Sequence, residues 1–173
     1  LPSLMRSAGR QWPGDGACLT KCEGGLGKIC GVVLDALMRV PGMGFAGSAV
    51  LAAFLDGSYP PNDMDIFLIC EEAGKGEHVL RLIYEALQQS LGSEGRLLAL
   101  RSNAAITLFR NNGIPVQLVL HVYKSIASLL TGFDVDCCAF AYDPSARKLW
   151  CTRLAGNRSV CSAALRFRGS KNN

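Results

Sequence analysis

The chain has 173 residues, 49% hydrophobic and 18% charged, which is enough for one domain with a full core and too little for two ordinary ones. Its 18 Lys and Arg against 14 Asp and Glu leave a net charge of +4, too small to mark a dedicated nucleic-acid surface by itself. A mean hydropathy of +0.21 excludes intrinsic disorder, and charges break every apolar run short of the roughly 18 to 20 residues that cross a bilayer, so no membrane attachment is expected.

Through residues 1–27 the chain mixes Gly, Pro, Ser and single charges without a period, which predicts a loosely ordered arm. It opens on Leu rather than Met, as a processed chain or a piece of a longer protein or complex would. Leu1 to Leu19 holds Arg6 and Arg10 but no apolar block of the kind a secretory leader needs. An intracellular, cytoplasmic protein is expected, or an organellar one if the first residue is what a transit peptide leaves behind. Ile29, Val32, Val33, Leu37 and Met38 then recur at helical spacing until Pro41-Gly42 stops them. Ala49 to Leu55 is a short buried helix entered through Phe45-Ala46-Gly47-Ser48, and Asp63 to Cys70 is a buried strand. Val79, Leu80, Ile83, Leu87 and Leu91 define an amphipathic helix over Glu77 to Leu91. Strands are predicted at Leu97 to Arg101, Ala104 to Arg110 and Ile114 to Val122, the last two joined by a tight turn at Asn111-Asn112-Gly113. A short helix at Ser125 to Leu130 leads to strands at Val135 to Tyr142 and Lys148 to Arg153. This order predicts an α/β (α+β) domain over residues 28–153, a mixed central sheet flanked by helices, followed by a tail over 154–173.

The 8 Cys (18, 22, 30, 70, 137, 138, 151 and 161) lack the paired spacing of a structural zinc site, and a chain this apolar needs no disulfide framework. They are expected as reduced, mostly buried thiols. His78 and His121 are expected on a helix surface and in a strand, without catalytic duty.

One constellation stands above a generic domain. Asp63 and Asp65 open an apolar strand, and residues two apart on a strand project to one face, so their carboxylates converge. Like charges so placed need compensation, which magnesium supplies through hard oxygen ligands while leaving positions for substrate phosphates. Gly47-Ser48, separated from Asp63 by a spacer of 14 residues, offers close backbone approach and a hydroxyl where a helix begins.

Gly-Ser, that spacer and Asp-x-Asp entering an apolar strand resemble the hallmark of the nucleotidyltransferase fold, the DNA polymerase beta-like superfamily. Arg101 to Thr107, Pro115 to Leu120, Tyr123 to Ser125 and Phe133 to Cys138 further resemble the nucleotidyltransferase-like domain of some ankyrin-repeat proteins, although no ankyrin repeat is present. The resemblance implies transfer of a nucleoside monophosphate from a nucleoside triphosphate to an acceptor hydroxyl. Asp63 and Asp65 would hold two magnesium ions, and Ser48 and the Gly47 backbone the triphosphate. Lys124 is a candidate phosphate contact, as is Arg101. The third acid of the family's pattern is replaced by Gln117, which cannot take a proton from a hydroxyl. Asp134 or Asp136 would then complete the carboxylate set. The alternative is a catalytically silent pseudoenzyme of the same fold, serving as a binding or scaffold subunit of a nucleoprotein assembly. Gln117 and the lack of a second, nucleobase-binding domain favour that alternative, and the intact Gly-Ser and Asp-x-Asp favour the enzyme. Residues 153–173 carry Arg153, Arg158, Arg166, Arg168 and Lys171 and no acid, so the whole positive excess lies there. This tail is the expected contact for RNA, DNA or an acidic protein partner.

Overall fold

The computed structural model describes residues 10–11, 16–55, 60–69, 74–91, 95–111, 113–135, 138–153 and 155. In chain order the elements are β1 (Arg10–Gln11), α1 (Gly16–Leu37), β2 (Met43–Ala46), α2 (Ser48–Phe54), β3 (Met64–Leu68) and α3 (Lys75–Leu91). They continue with β4 (Leu97–Arg101), β5 (Ala105–Arg110), β6 (Val116–Val122), α4 (Ile126–Thr131), β7 (Phe140–Asp143) and β8 (Lys148–Cys151). The strands form one mixed sheet of 8 in the order β1-β8-β7-β2-β3-β6-β5-β4, in which the β3–β6 pairing is parallel and the others are antiparallel. This is the mixed, helix-flanked α/β domain expected from the sequence.

The two faces of the sheet have different chemistry. Met64, Ile66 and Leu68 of β3 alternate with Asp65 and Phe67, so the aliphatic set points one way and the carboxylate the other. On the aliphatic face Ile66 is level with Phe45 of β2 and Leu118 of β6, all buried. α1, α2 and α3 close over this side. Phe54 of α2 stacks on Phe140 of β7 with ring centroids 5.5 Å apart, and Val79, Ile83 and Leu87 of α3 are buried along one stripe. Glu23 of α1 accepts from the Tyr142 hydroxyl at 2.6 Å and from the Arg147 Nε and Nη2 at 2.9 and 2.7 Å, tying α1 to the β7–β8 hairpin. The Arg147 guanidinium, then the Tyr142 hydroxyl, hold the Glu23 carboxyl below its ordinary value against the opposing effect of burial. The opposite face carries Asp65 and stays partly open: Leu98, Leu100 and Phe109 stand exposed there at the β4–β5 end.

Three expectations need correcting. The arm through residue 27 is helical from Gly16 onward, because Leu19, Cys22, Leu26, Cys30, Val33 and Leu37 form a continuous stripe of threes and fours that its glycines disguise. Gly25 is required by packing: a Cβ there would meet the Ala53 Cα at 2.6 Å, so α1 and α2 touch through it. β2 was not expected as a strand at all; it is four residues long and buried on both sides. The strand predicted from Val135 begins only at Phe140, since Val135 is exposed and its carbonyl accepts from the Cys138 N–H in a turn. Cys22, Cys30 and Cys151 are buried in the core. Among the described residues no helix is long and apolar enough to cross a membrane. The basic tail from residue 156 onward lies outside the described residues.

Candidate functional site

β2 runs into Gly47 and turns directly into α2. The glycine has φ +85°, a conformation that side chains rarely adopt, and its N–H donates to the Phe140 carbonyl at 3.0 Å. A Cβ on Gly47 would lie 3.7 Å from the Asp65 Oδ2 and 3.5 Å from the Phe133 ring, ordinary contact distances, so the turn packs beside the carboxylate and the positive φ is what favours glycine here. The Gly47 amide is therefore engaged inside the fold. Ser48 opens α2 half-buried, and the first intrahelical bond runs from the Leu51 N–H to the Gly47 carbonyl at 3.1 Å. The amides ahead of Leu51 therefore have no acceptor within the helix, and the first turn carries no acid.

Antiparallel pairing sets Ala46 of β2 opposite Asp65, and parallel pairing sets Gln117 of β6 on its other side, with Thr107 of β5 next. Paired residues share a sheet face, so Ala46, Asp65, Gln117 and Thr107 form one row across four strands. Asp63 lies two residues before Asp65, just ahead of β3, and accepts at Oδ2 a hydrogen bond of 2.9 Å from the Gln117 Nε2. Burial first, and the neighbouring Asp63 carboxylate second, push the Asp65 carboxyl up to about 6.

An aromatic wall, unforeseen in the sequence, flanks these groups. Phe67, on the Asp65 face, packs against Phe133 with centroids 6.1 Å apart and against Tyr123 at 5.9 Å, and His121 lies on Tyr123 at 4.6 Å. The alternation of Phe67 with Ile66 was a signal for its face, but nothing local in the sequence brings Phe133 to Gly47.

The other candidates lie at various removes. Asp134 is exposed beside Phe133, and Asp63 is the carboxylate that acts on Asp65. Asp136 lies outside the described residues. Lys124 stands exposed after the end of β6, where the adjacent Tyr123 N–H donates to the Leu68 carbonyl, at the far end of β3 from Asp63. Arg101 is exposed at the end of the edge strand β4, and His78 is exposed on α3. Among the described residues no three His, Cys, Asp or Glu side chains gather as a metal-holding group.

The donor set nonetheless suits a single hard divalent cation. Two carboxylates one strand step apart, one of them disfavoured in its charged form by burial and by the other, are relieved by a cation between them.

Solved structures share this architecture. The Thermotoga maritima CCA-adding enzyme complexed with tRNA matches with a TM-score of 0.54 at 18% identity, over 87% of this chain and 34% of that one. A CCA-adding enzyme in complex with CTP matches with a TM-score of 0.55 at 16% identity, over 90% of this chain and 36% of the other. An apo form of a CCA-adding enzyme gives 0.51 at 16% identity, over 90% and 35%. These likenesses establish the nucleotidyltransferase-like fold, and this chain spans about a third of the length of those enzymes. They support the broad resemblance seen in the sequence, not its narrower form to ankyrin-repeat proteins. No curated protein matches the sequence. A family model described as Gabija anti-defense 2 family protein matches residues 26–156.

Proposed function

Since the chain belongs to the Gabija anti-defense 2 family, we propose that it counteracts a Gabija defence by nucleotidyl transfer, in which an acceptor hydroxyl takes the nucleoside monophosphate from a nucleoside triphosphate as the bond between the α- and β-phosphates breaks and pyrophosphate leaves. The observation that carries this reading is the meeting of Gly47 and Asp65. Two segments separated by a helix and a loop bring a positive-φ glycine turn beside a half-buried carboxylate, so that a Cβ on the glycine would lie 3.7 Å from it. A triphosphate with its cation would use a half-buried carboxylate disfavoured in its charged form beside a helix entrance, whereas a binding scaffold gains nothing from carrying that charge.

Asp63 and Asp65 would hold a divalent cation, magnesium in the cell, which when bound neutralises triphosphate charge and polarises the reacting phosphate. The chain's own groups do the rest. The Ser48 hydroxyl and the opening amides of α2 face the phosphates as donors. Phe133 and Phe67 form an apolar wall that keeps water from one side of the carboxylates, which strengthens their interaction with a cation. The fold's structural neighbours include one with CTP and one with tRNA, and a nucleotide is accordingly the substrate class proposed here, with nucleic acid as a candidate acceptor. The basic residues of 153–173 carry the positive charge that would contact that acceptor's phosphates.

The test is label transfer. Purified chain incubated with magnesium and each α-labelled nucleoside triphosphate should move label onto an acceptor in extracts of Gabija-bearing cells. Asp63→Asn or Asp65→Asn should lower that transfer by about 100-fold and abolish protection against the defence. Full anti-defence activity in the double Asn variant would sink the proposal.

A further inference from the structure

We infer that Gln117 is a positioning residue that restricts this site to one divalent cation. This rests on the reading of Asp63 and Asp65 as a cation-dependent nucleotide site, and it assigns a task to the neutral side chain between them. The parallel pairing of β3 with β6 fixes Gln117 level with Asp65 on the same face. From there its Nε2 reaches the Asp63 Oδ2 at 2.9 Å.

Two consequences follow from the chemistry of the amide. An ionised carboxylate only accepts, so the amide must present its nitrogen to Asp63, and that nitrogen is no cation ligand. Gln117 therefore holds Asp63 in one orientation while offering a second cation at most its neutral oxygen. The charge count points the same way. Along the row from β2 to β5 the side chains are Ala46, Asp65, Gln117 and Thr107, so Asp65 is the single acid in it. Together with Asp63 this gives the charge of one divalent cation. A second would sit beside a half-buried group with no carboxylate at position 117 to balance it, at a penalty that low polarity magnifies.

Manganese reports the number directly. The full chain, equilibrated by dialysis with Mn2+ and an excess of a nonhydrolysable α,β-methylene nucleoside triphosphate, should bind one Mn2+ per chain beyond the nucleotide-only background. Its paramagnetic resonance spectrum should be that of an isolated ion. Gln117→Glu keeps the side-chain length and adds a charge. It should bind two Mn2+ and show the spin coupling expected of ions about 3.5–4 Å apart. Gln117→Asp is the second variant should the first fail to fold. A coupled pair in the wild-type chain overturns the inference while leaving the nucleotide site standing, as does a carboxylate at 117 that still binds only one ion. No Mn2+ in the wild-type chain removes the nucleotide site itself, and the inference with it.

Discussion

Asp65 is placed where its charge costs the protein stability. Burial, and then Asp63, raise its carboxyl from 3.8 to about 6, so the folded chain binds this proton more tightly than the unfolded chain does. The sign follows from linkage: the stabilising contribution is full below about 4, falls as pH rises through about 6 and is absent above it. With one pKa unit equal to about 1.4 kcal/mol, the ionised group costs on the order of 2–3 kcal/mol at neutral pH. Asp65→Asn, melted in a chelator at pH 7.5, should therefore unfold several degrees above the wild type, and at pH 4 the two should coincide. Equal melting at pH 7.5 would contradict this account of the site's electrostatics. The Asp-x-Asp and Gly-Ser pairs were legible in the sequence because spacing alone sets carboxylates on one strand face. The Gln117 bond to Asp63 was not, since the two are 54 residues apart and only strand pairing joins them.

At the level of elements, the helices with regular apolar stripes were read correctly, and the glycine-rich one only in its second half. α3 and α4 fall within two residues of their expected bounds, and Ser125 caps α4 as its side chain accepts from the Ser128 N–H. The first half of α1 escaped notice because Gly24, Gly25 and Gly27 mimic a loop, although each has its own setting. Gly25 meets Ala53 across the α1–α2 contact, whereas a Cβ on Gly27 would find nothing within 4 Å. Gly25→Ala should thus cost about 1–3 kcal/mol through forced separation of the helices. Gly27→Ala should gain about 0.5–1 kcal/mol by helix propensity. Urea midpoints decide it, and two variants shifting in the same direction would refute the packing assigned to Gly25. α1 also departs from helical geometry at Cys30, and the preceding Ile29 carbonyl accepts from the Arg110 Nη2 at 3.3 Å, a long-range bond that no local pattern announces. β2 was missed for a related reason: four residues buried on both sides show neither alternation nor a helical period.

Across the whole molecule, the sheet order is what turns scattered motifs into a site. β3 lies between β2 and β6, so the Gly47 turn at the end of β2 and Gln117 of β6 arrive on opposite sides of Asp65. α1, α2 and α3 shield the aliphatic face, and the carboxylate face is left with Phe133 as a wall and an apolar margin at Leu98 and Leu100. The fold class was legible because the alternation of helices with apolar strands admits few arrangements, but the parallel β3–β6 pairing depends on a crossover through α3, β4 and β5 that spacing cannot specify. The body without its tail is close to neutral, so the +4 belongs to residues 153–173 and not to the carboxylate face. Calorimetric titration of the full chain with each of the four nucleoside triphosphates, with magnesium and with chelator, tests the central claim most directly. At least one nucleotide should bind only with magnesium, and Asp63→Asn with Asp65→Asn should remove that heat. No binding of any nucleotide, or equal binding by the double variant, would contradict the account.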